Sequence, residues 1–284
     1  MQSHFRRIPF LAVSGFVVLF ITLFVQGVWA GLLVTNLKTS PKFPWSVAVM
    51  AIFLCMAWWY ASGKGWPGRT SEIRGRYLRA NSVSAETFAW ALLAGGLSIV
   101  ALAGAWILLF KVVKMPGNRA PDFSAYPITT TALVLIMASI VGGVAEEAGF
   151  RGYFQSSLER DFSASFAIMI SALFMSPGHG LSQGFAWPML LWYFFADVMF
   201  GVTAYLTNSI LPGIVLHIIG LFSFFTLIWP DDRSRVLVVN AGADIWFWIH
   251  IGQAIIFSVL AILAFGHLAR VADAKGADLI RIAA

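Results

Sequence analysis

Gly142-Gly143-Val144-Ala145-Glu146-Glu147-Ala148-Gly149-Phe150-Arg151 sets two adjacent carboxylates and an arginine inside, or at the end of, an otherwise apolar helix. Most of the surrounding chain is apolar enough to lie in a bilayer, where such a cluster is costly and marks a functional site by default. On a helix, Glu147 and Arg151 are four apart with the acid N-terminal, the favourable order for an ion pair. Glu146 is turned about 100° from Glu147, and the residue four later is Phe150. A carboxylate left alone in a low dielectric must take a proton or find a cation.

Working outward, the 284 residues are 59% hydrophobic and 11% charged. Soluble domains carry about a quarter charged residues, so the fold class is all-α and polytopic in the membrane. The net charge of +6 does not imply nucleic acid, because the basic residues fall in short loops between apolar runs, where topology accounts for them. Cys55 is the only cysteine. Disulfides and thiolate metal sites are thereby excluded, and any metal must be held by His, Asp or Glu.

A span needs roughly 20 apolar residues. On that measure about eight transmembrane helices are predicted, near 9–34, 44–61, 88–110, 128–148, 163–179, 188–207, 209–229 and 243–267. The basic start (Arg6, Arg7) precedes a run too long for a signal-peptide core, so it reads as a retained first span. The insertion 63–87 carries Arg74, Arg76 and Arg79 and is expected to face headgroups; the tail 268–284 is expected in the cytosol. With the N-terminus inside, Arg6, Arg7, Lys64, Arg69, Arg74, Arg76, Arg79, Arg151, Arg160, Arg270, Lys275 and Arg281 fall on the cytoplasmic side. Lys38, Lys42, Lys111, Lys114, Arg119, Arg233 and Arg235 fall on the other. That asymmetry predicts cytoplasmic termini. The expected location is a prokaryotic inner or plasma membrane. Trp58, Trp59, Trp187 and Trp229 form an interfacial belt, and Gly142-Gly143 is expected to bring a neighbouring helix backbone close to the acidic pair.

Few other polar groups remain at membrane depth: His179, Asp197, His217 and His250. Pro177-Gly178 is expected to break its helix just before His179. Two imidazoles and an unpaired Glu on three spans have the composition of a catalytic zinc site, three protein ligands plus water. Convergence at one depth requires the fourth helix to continue to about Leu158, which puts Glu146 about 18 Å from its end. Asp197 either orients a ligand histidine from behind, completes the metal site, or hydrogen-bonds Tyr193 or Tyr205. His250 is read as a packing residue, and His4 and His267 as interfacial. Gly180-Leu181-Ser182-Gln183-Gly184 fits G-x-S-x-G, a motif with meaning only between a strand and a helix; here it is a chance match.

Glu146-Glu147-x-x-x-Arg151, His179 and His217, with the lead-in Leu206-Thr207-Asn208-Ser209-Ile210-Leu211-Pro212, together resemble the CPBP family of intramembrane glutamate- or metal-dependent proteases. That family includes CAAX proteases and bacteriocin-processing (Abi-type) enzymes. The resemblance covers about 128–225. It divides the chain into an N-terminal three-helix segment (1–127), a catalytic-type core (128–229) and a last span with its tail (230–284). It implies an endopeptidase acting on a membrane-associated peptide or protein, prenylated or leader-bearing, with the bilayer as its other partner and no nucleic acid. Glu146 would activate water, Glu147 and Arg151 would support it, and His179 and His217 would bind the metal or polarise the scissile carbonyl. The implied cofactor is a divalent metal, zinc, held by Glu146, His179 and His217, with Asp197 and Asn208 behind them. Two positions depart from the family pattern. Phe174 lies five rather than four residues before His179, with Met175 in its place, and Leu221 stands where the family has Asn. These departures keep a second reading open, a non-catalytic immunity, scaffold or regulatory protein on the same fold. An ion-coupled transporter using Asp197 and the Glu pair is a third.

Overall fold

The computed structural model describes residues 8–115, 122–231 and 235–283, with side chains described except at 8–12, 181–183 and 273–283. His4, Arg6, Arg7, Arg119 and Arg233 lie outside the described residues, as do the side chains of Ser182, Lys275 and Arg281. The described residues are helical throughout their ordered elements and include no strand. Helix α1 spans Ile8–Thr39, α2 Trp45–Ala61, α3 Ser71–Leu78 and α4 Ala85–Val112. They are followed by α5 over Ile128–Leu158, α6 over Ala164–Gln183, α7 over Trp187–Thr207 and α8 over Leu211–Ser223. A single-turn α9, Val238–Ala241, precedes the long α10, Ile245–Ala283.

Each of the eight expected spans is a helix. Among the described residues, six are long and apolar enough to cross a bilayer: α1, α4, α5, α7, α10 and α8 with its continuation to Asp231. With 17 residues, α2 reaches only about 25 Å, short of a roughly 30 Å hydrocarbon core. Large apolar side chains on α1 (Phe16, Phe20, Phe24) and α10 (Ile255, Ile262, Leu263) are exposed, as they must be on helices that face acyl chains.

α5 is the axis of the molecule and does reach Leu158. It does so by changing its hydrogen-bond ladder: Ile128–Glu146 is α-helical, Glu147–Gln155 widens to i→i+5, and Ser156–Leu158 closes the last turn. Widened turns of this kind concentrate at functional sites, and this one begins at the second carboxylate. α1 and α8 lie along α5, α6 packs on α7, and α4 on α10. At the basic end, α3 ends on Arg79 in a left-handed conformation (φ 57°). Its guanidinium holds Glu159 at 2.9 Å and the Asn208 side chain at 3.1 Å, joining α3 to the ends of α5 and α7.

Two expectations need correction. α6 is not broken at Pro177-Gly178 but runs through it to Gln183, since neighbouring helices in a membrane bundle can satisfy the carbonyl a proline frees. Arg151 is not a loop residue that reports topology; it is buried within α5. The outer residues behave as read: His250 Nδ1 lies 2.9 Å from Gln253 Oε1, and the His267 ring packs on Trp90 at 4.0 Å.

The α5–α8 contact depends on small residues. A Cβ on Gly143 would stand 3.0 Å from Ile218 Cγ1 and 3.3 Å from the Ile218 backbone nitrogen, so a larger residue would push the His217 helix away. Gly96 on α4 has open space at the same test. Gly143→Val is therefore expected to destabilise the protein by about 1–3 kcal/mol. Gly96→Ala should leave stability unchanged or raise it by up to about 1 kcal/mol. Thermal unfolding of the two variants in the same detergent checks both.

Candidate functional site

The site forms where α5 crosses α7 and α8 with α1 alongside. Adjacent on α5, Glu146 and Glu147 diverge and enclose one histidine from α8. Glu147 Oε1 lies 3.1 Å from His217 Nδ1, and Glu146 Oε2 lies 3.2 Å from His217 Nε2. The imidazole is stacked on Phe200 of α7, with centroids 4.3 Å apart and planes 15° apart. Gly213, one helical turn before His217, makes room for this arrangement, because a Cβ there would meet Glu147 Oε2 at 2.5 Å.

Arg151 carries the structure onward. Its Nη1 lies 3.5 Å from Glu147 Oε1, the expected i,i+4 pair. Its Nη2 donates to Asp197 Oδ1 at 2.8 Å and to the Asp197 carbonyl at 3.0 Å. Ser176 Oγ stands 3.3 Å from the other Asp197 oxygen. Asp197, Arg151, Glu147, His217 and Glu146 thus form a row that alternates acid and base across α7, α5 and α8. All five residues are at most 6% exposed. Asp197 is therefore the anchor of Arg151, a role beside the ones its place in the sequence suggested. Asn208 caps α7 in a left-handed conformation and accepts from Arg79, so it does not stand behind the histidines.

His179 is placed differently. Its ring lies flat on Tyr193, centroids 3.8 Å apart and planes 9° apart, near enough to Glu146 and Asp197 to interact with both electrostatically. Met175, one turn before His179 and so on its face of the helix, accepts a contact from Arg151 Nη1 at 2.9 Å. Phe174 turns away instead, onto Phe16 and Phe154 at 5.4 Å each. The shifted aromatic thus packs against the first helix while methionine takes the site-facing position.

For zinc the fit is incomplete. Glu146 Oε2 and His217 Nε2 are spaced as two ligands of one ion could be, with bonds near 2.0–2.2 Å. Yet among the described residues no three His, Cys, Asp or Glu side chains are placed to share an ion. As arranged, Glu146, His179 and His217 do not make a three-ligand centre, and His217 has a carboxylate at each nitrogen. Glu146 Oε2 and Glu147 Oε2 are buried without a directed hydrogen bond, and such groups in a folded chain call for a water, a proton or a cation.

One group at the centre escaped the sequence reading. Gln26 on α1 donates its amide to Glu146 Oε1 at 2.6 Å, so Glu146 is not the solitary carboxylate it was expected to be. Counting only ionisable groups at membrane depth passed over it. A glutamine in the middle of an apolar span is itself a signal, because such an amide seeks a partner on another helix.

With this geometry in hand, the comparisons fall on the same elements. Residues 128–223 match the family model described as Type II CAAX prenyl endopeptidase Rce1-like. Over those residues, about a third of the chain, the protein is similar to that family. No curated protein and no solved structure matches it. The matched stretch takes in α5 to α8, and with them every member of the acid–base row, but not α1 and Gln26.

Because Arg151 neutralises two buried carboxylates, its loss strands both. Arg151→Met is expected to cost about 3–5 kcal/mol, the usual penalty for removing one partner of a buried pair. The exposed Glu72–Arg76 pair should contribute less than about 1 kcal/mol when Arg76→Ala removes it. Chemical or thermal unfolding of both variants in one detergent measures the contrast.

Proposed function

We propose that this protein is an intramembrane endopeptidase that cleaves a membrane-associated, prenylated peptide near the cytoplasmic face. The observation that carries this reading is the His217 imidazole between two buried carboxylates, one of which, Glu146, keeps an oxygen free of any directed hydrogen bond. The substrate class comes from the name of the matching family. The basic residues of α3 (Arg74, Arg76 and Arg79) suit the cytoplasmic side.

The chemistry follows from the chain's own residues. A water at Glu146 Oε2 and His217 Nε2 gives a proton to the carboxylate as its oxygen attacks the scissile carbonyl carbon. The Glu146 proton then passes to the departing amine as the C–N bond breaks. His217 as an imidazolium, its Nδ1–H given to Glu147, presents Nε2–H to the carbonyl oxygen as negative charge develops there, and a fixed donor of this kind lowers the barrier most in a dry site. Arg151 and Asp197 fix Glu147 and do not touch the reacting atoms. Since Glu146, His179 and His217 do not form a three-ligand centre, no step is assigned to a metal.

A second reading, a non-catalytic scaffold on this fold, draws on Leu221. The apolar side chain packs over Gly142, beside Glu146, where the family pattern has an amide. One substitution separates the two readings. Glu146→Gln, nearly isosteric, should lower cleavage of a fluorogenic farnesylated peptide ending in a C-a-a-X sequence by about 10²–10⁴-fold, with the unfolding temperature preserved. Equal turnover by Glu146→Gln and the unsubstituted protein would remove the peptidase reading as stated. The zinc expectation has its own check. Exhaustive treatment with a divalent-metal chelator should leave turnover within about twofold, and elemental analysis should find less than one zinc per chain; chelation that abolishes turnover, reversed by zinc, would restore the metal to the mechanism.

A further inference from the structure

We infer that Gln26 is a positioning residue for Glu146, supplying from the first helix the side-chain amide that Leu221 has removed from the eighth. This inference rests on the reading of Glu146 as the proton acceptor.

Three placements support it. First, Gln26 Nε2 donates to Glu146 Oε1 at 2.6 Å, a close contact between an amide and a carboxylate. Second, the contact belongs to a polar seam on a helix whose other sides are apolar. Thr22, one turn before Gln26, is buried, and its Oγ1 would stand 2.8 Å from a Cβ on Gly149. The same helix exposes Phe16, Phe20 and Phe24. The bare glycine lets α1 come close enough to α5 for a glutamine to reach the carboxylate. Third, Leu221 and the oxygen held by Gln26 flank the same glycine. Measured from the Cβ position of Gly142, Leu221 Cδ1 is 2.6 Å away and Glu146 Oε1 is 4.0 Å away. Whether an amide at 221 reaches that oxygen is what the rescue variant reads.

The effect on the carboxylate is directional. With Oε1 held by the amide, the carboxylate cannot rotate freely, and Oε2 is kept towards His217 Nε2 at 3.2 Å. Gln26 thus chooses which oxygen receives the proton. It neither donates nor accepts that proton and touches no reacting atom. Removing an orienting partner of this kind lowers activity by about ten- to a hundredfold.

The test uses the full chain in detergent with the farnesylated fluorogenic peptide. Gln26→Met, similar in length and without a donor, should reduce kcat by about ten- to a hundredfold and leave KM within about twofold. Adding Leu221→Asn to Gln26→Met should recover at least about a third of the lost activity on a logarithmic scale, because the donor returns from the other side of Oε1. Thr22→Val, which alters the same seam without reaching the carboxylate, should leave kcat unchanged. An unaltered kcat in Gln26→Met would overturn the inference. So would a loss that Leu221→Asn does not rescue, or one shared by Thr22→Val, since either pattern belongs to helix packing. If the unsubstituted protein does not cleave the peptide, the peptidase reading fails separately. The Gln26–Glu146 link is then judged by a thermal-stability cycle of Gln26→Met and Glu146→Gln: non-additive shifts support it, and additive shifts overturn it.

Discussion

One guanidinium, buried to 1% exposure, holds the centre of this bundle together. Arg151 faces Glu147 on its own helix and Asp197 on α7, through both the side chain and the backbone carbonyl of the latter. In a medium with no water to share the load, each of these charges is tolerable only because the others are present. The helices that carry them are therefore fixed in rotation as well as in position. If α7 turned by one residue, Asp197 would leave the guanidinium; if α5 did, both carboxylates would leave His217.

From that constraint the rest of the site follows. Glu147 is committed on one oxygen to Arg151 and His217, so it is an orienting group, not a free base. His217 is committed through Nδ1 to Glu147 and pressed on Phe200, so its other nitrogen has a defined direction. The end of the row, Glu146, retains a buried oxygen without a directed partner. Glu147 Oε2 is the other buried oxygen without a directed hydrogen bond, but Glu146 Oε2 stands at the end of the row, facing His217 Nε2, where a proton can change hands without breaking the ion pairs behind it. The widened ladder of α5 starts at Glu147, where the row passes from the first carboxylate to the second.

The glycines serve this geometry by being absent as side chains. Gly143 lets α8 approach, Gly213 leaves room for the Glu147 carboxylate, and Gly149 admits Thr22. Leu221 lies in the space left by Gly142, so the apolar departure from the family pattern is accommodated by a bare glycine on the facing helix. The second departure, Phe174, is likewise accommodated: the ring fills the α1–α6 contact, while Met175 meets Arg151.

The sequence by itself determined the spans, because apolar length and charge depletion are local properties and the bilayer admits only helices over such lengths. It also determined the pairing of Glu147 with Arg151, which follows from four-residue spacing on one helix, and the continuation of α5 to Leu158, which followed from matching depths. Only the tertiary structure decided what lies across a helix interface. That Asp197 holds Arg151 follows from the face of α7 it occupies, which is set by packing against α5 and α6. The direction of His179 likewise depends on α6 staying helical through Pro177, which lays its ring on Tyr193. Gln26 carries no charge and sits far from every motif, so nothing local marked it as the partner of Glu146. That link exists because α1 packs closely on α5 at Gly149, and side-chain neighbours 120 residues apart are a property of the assembled bundle alone.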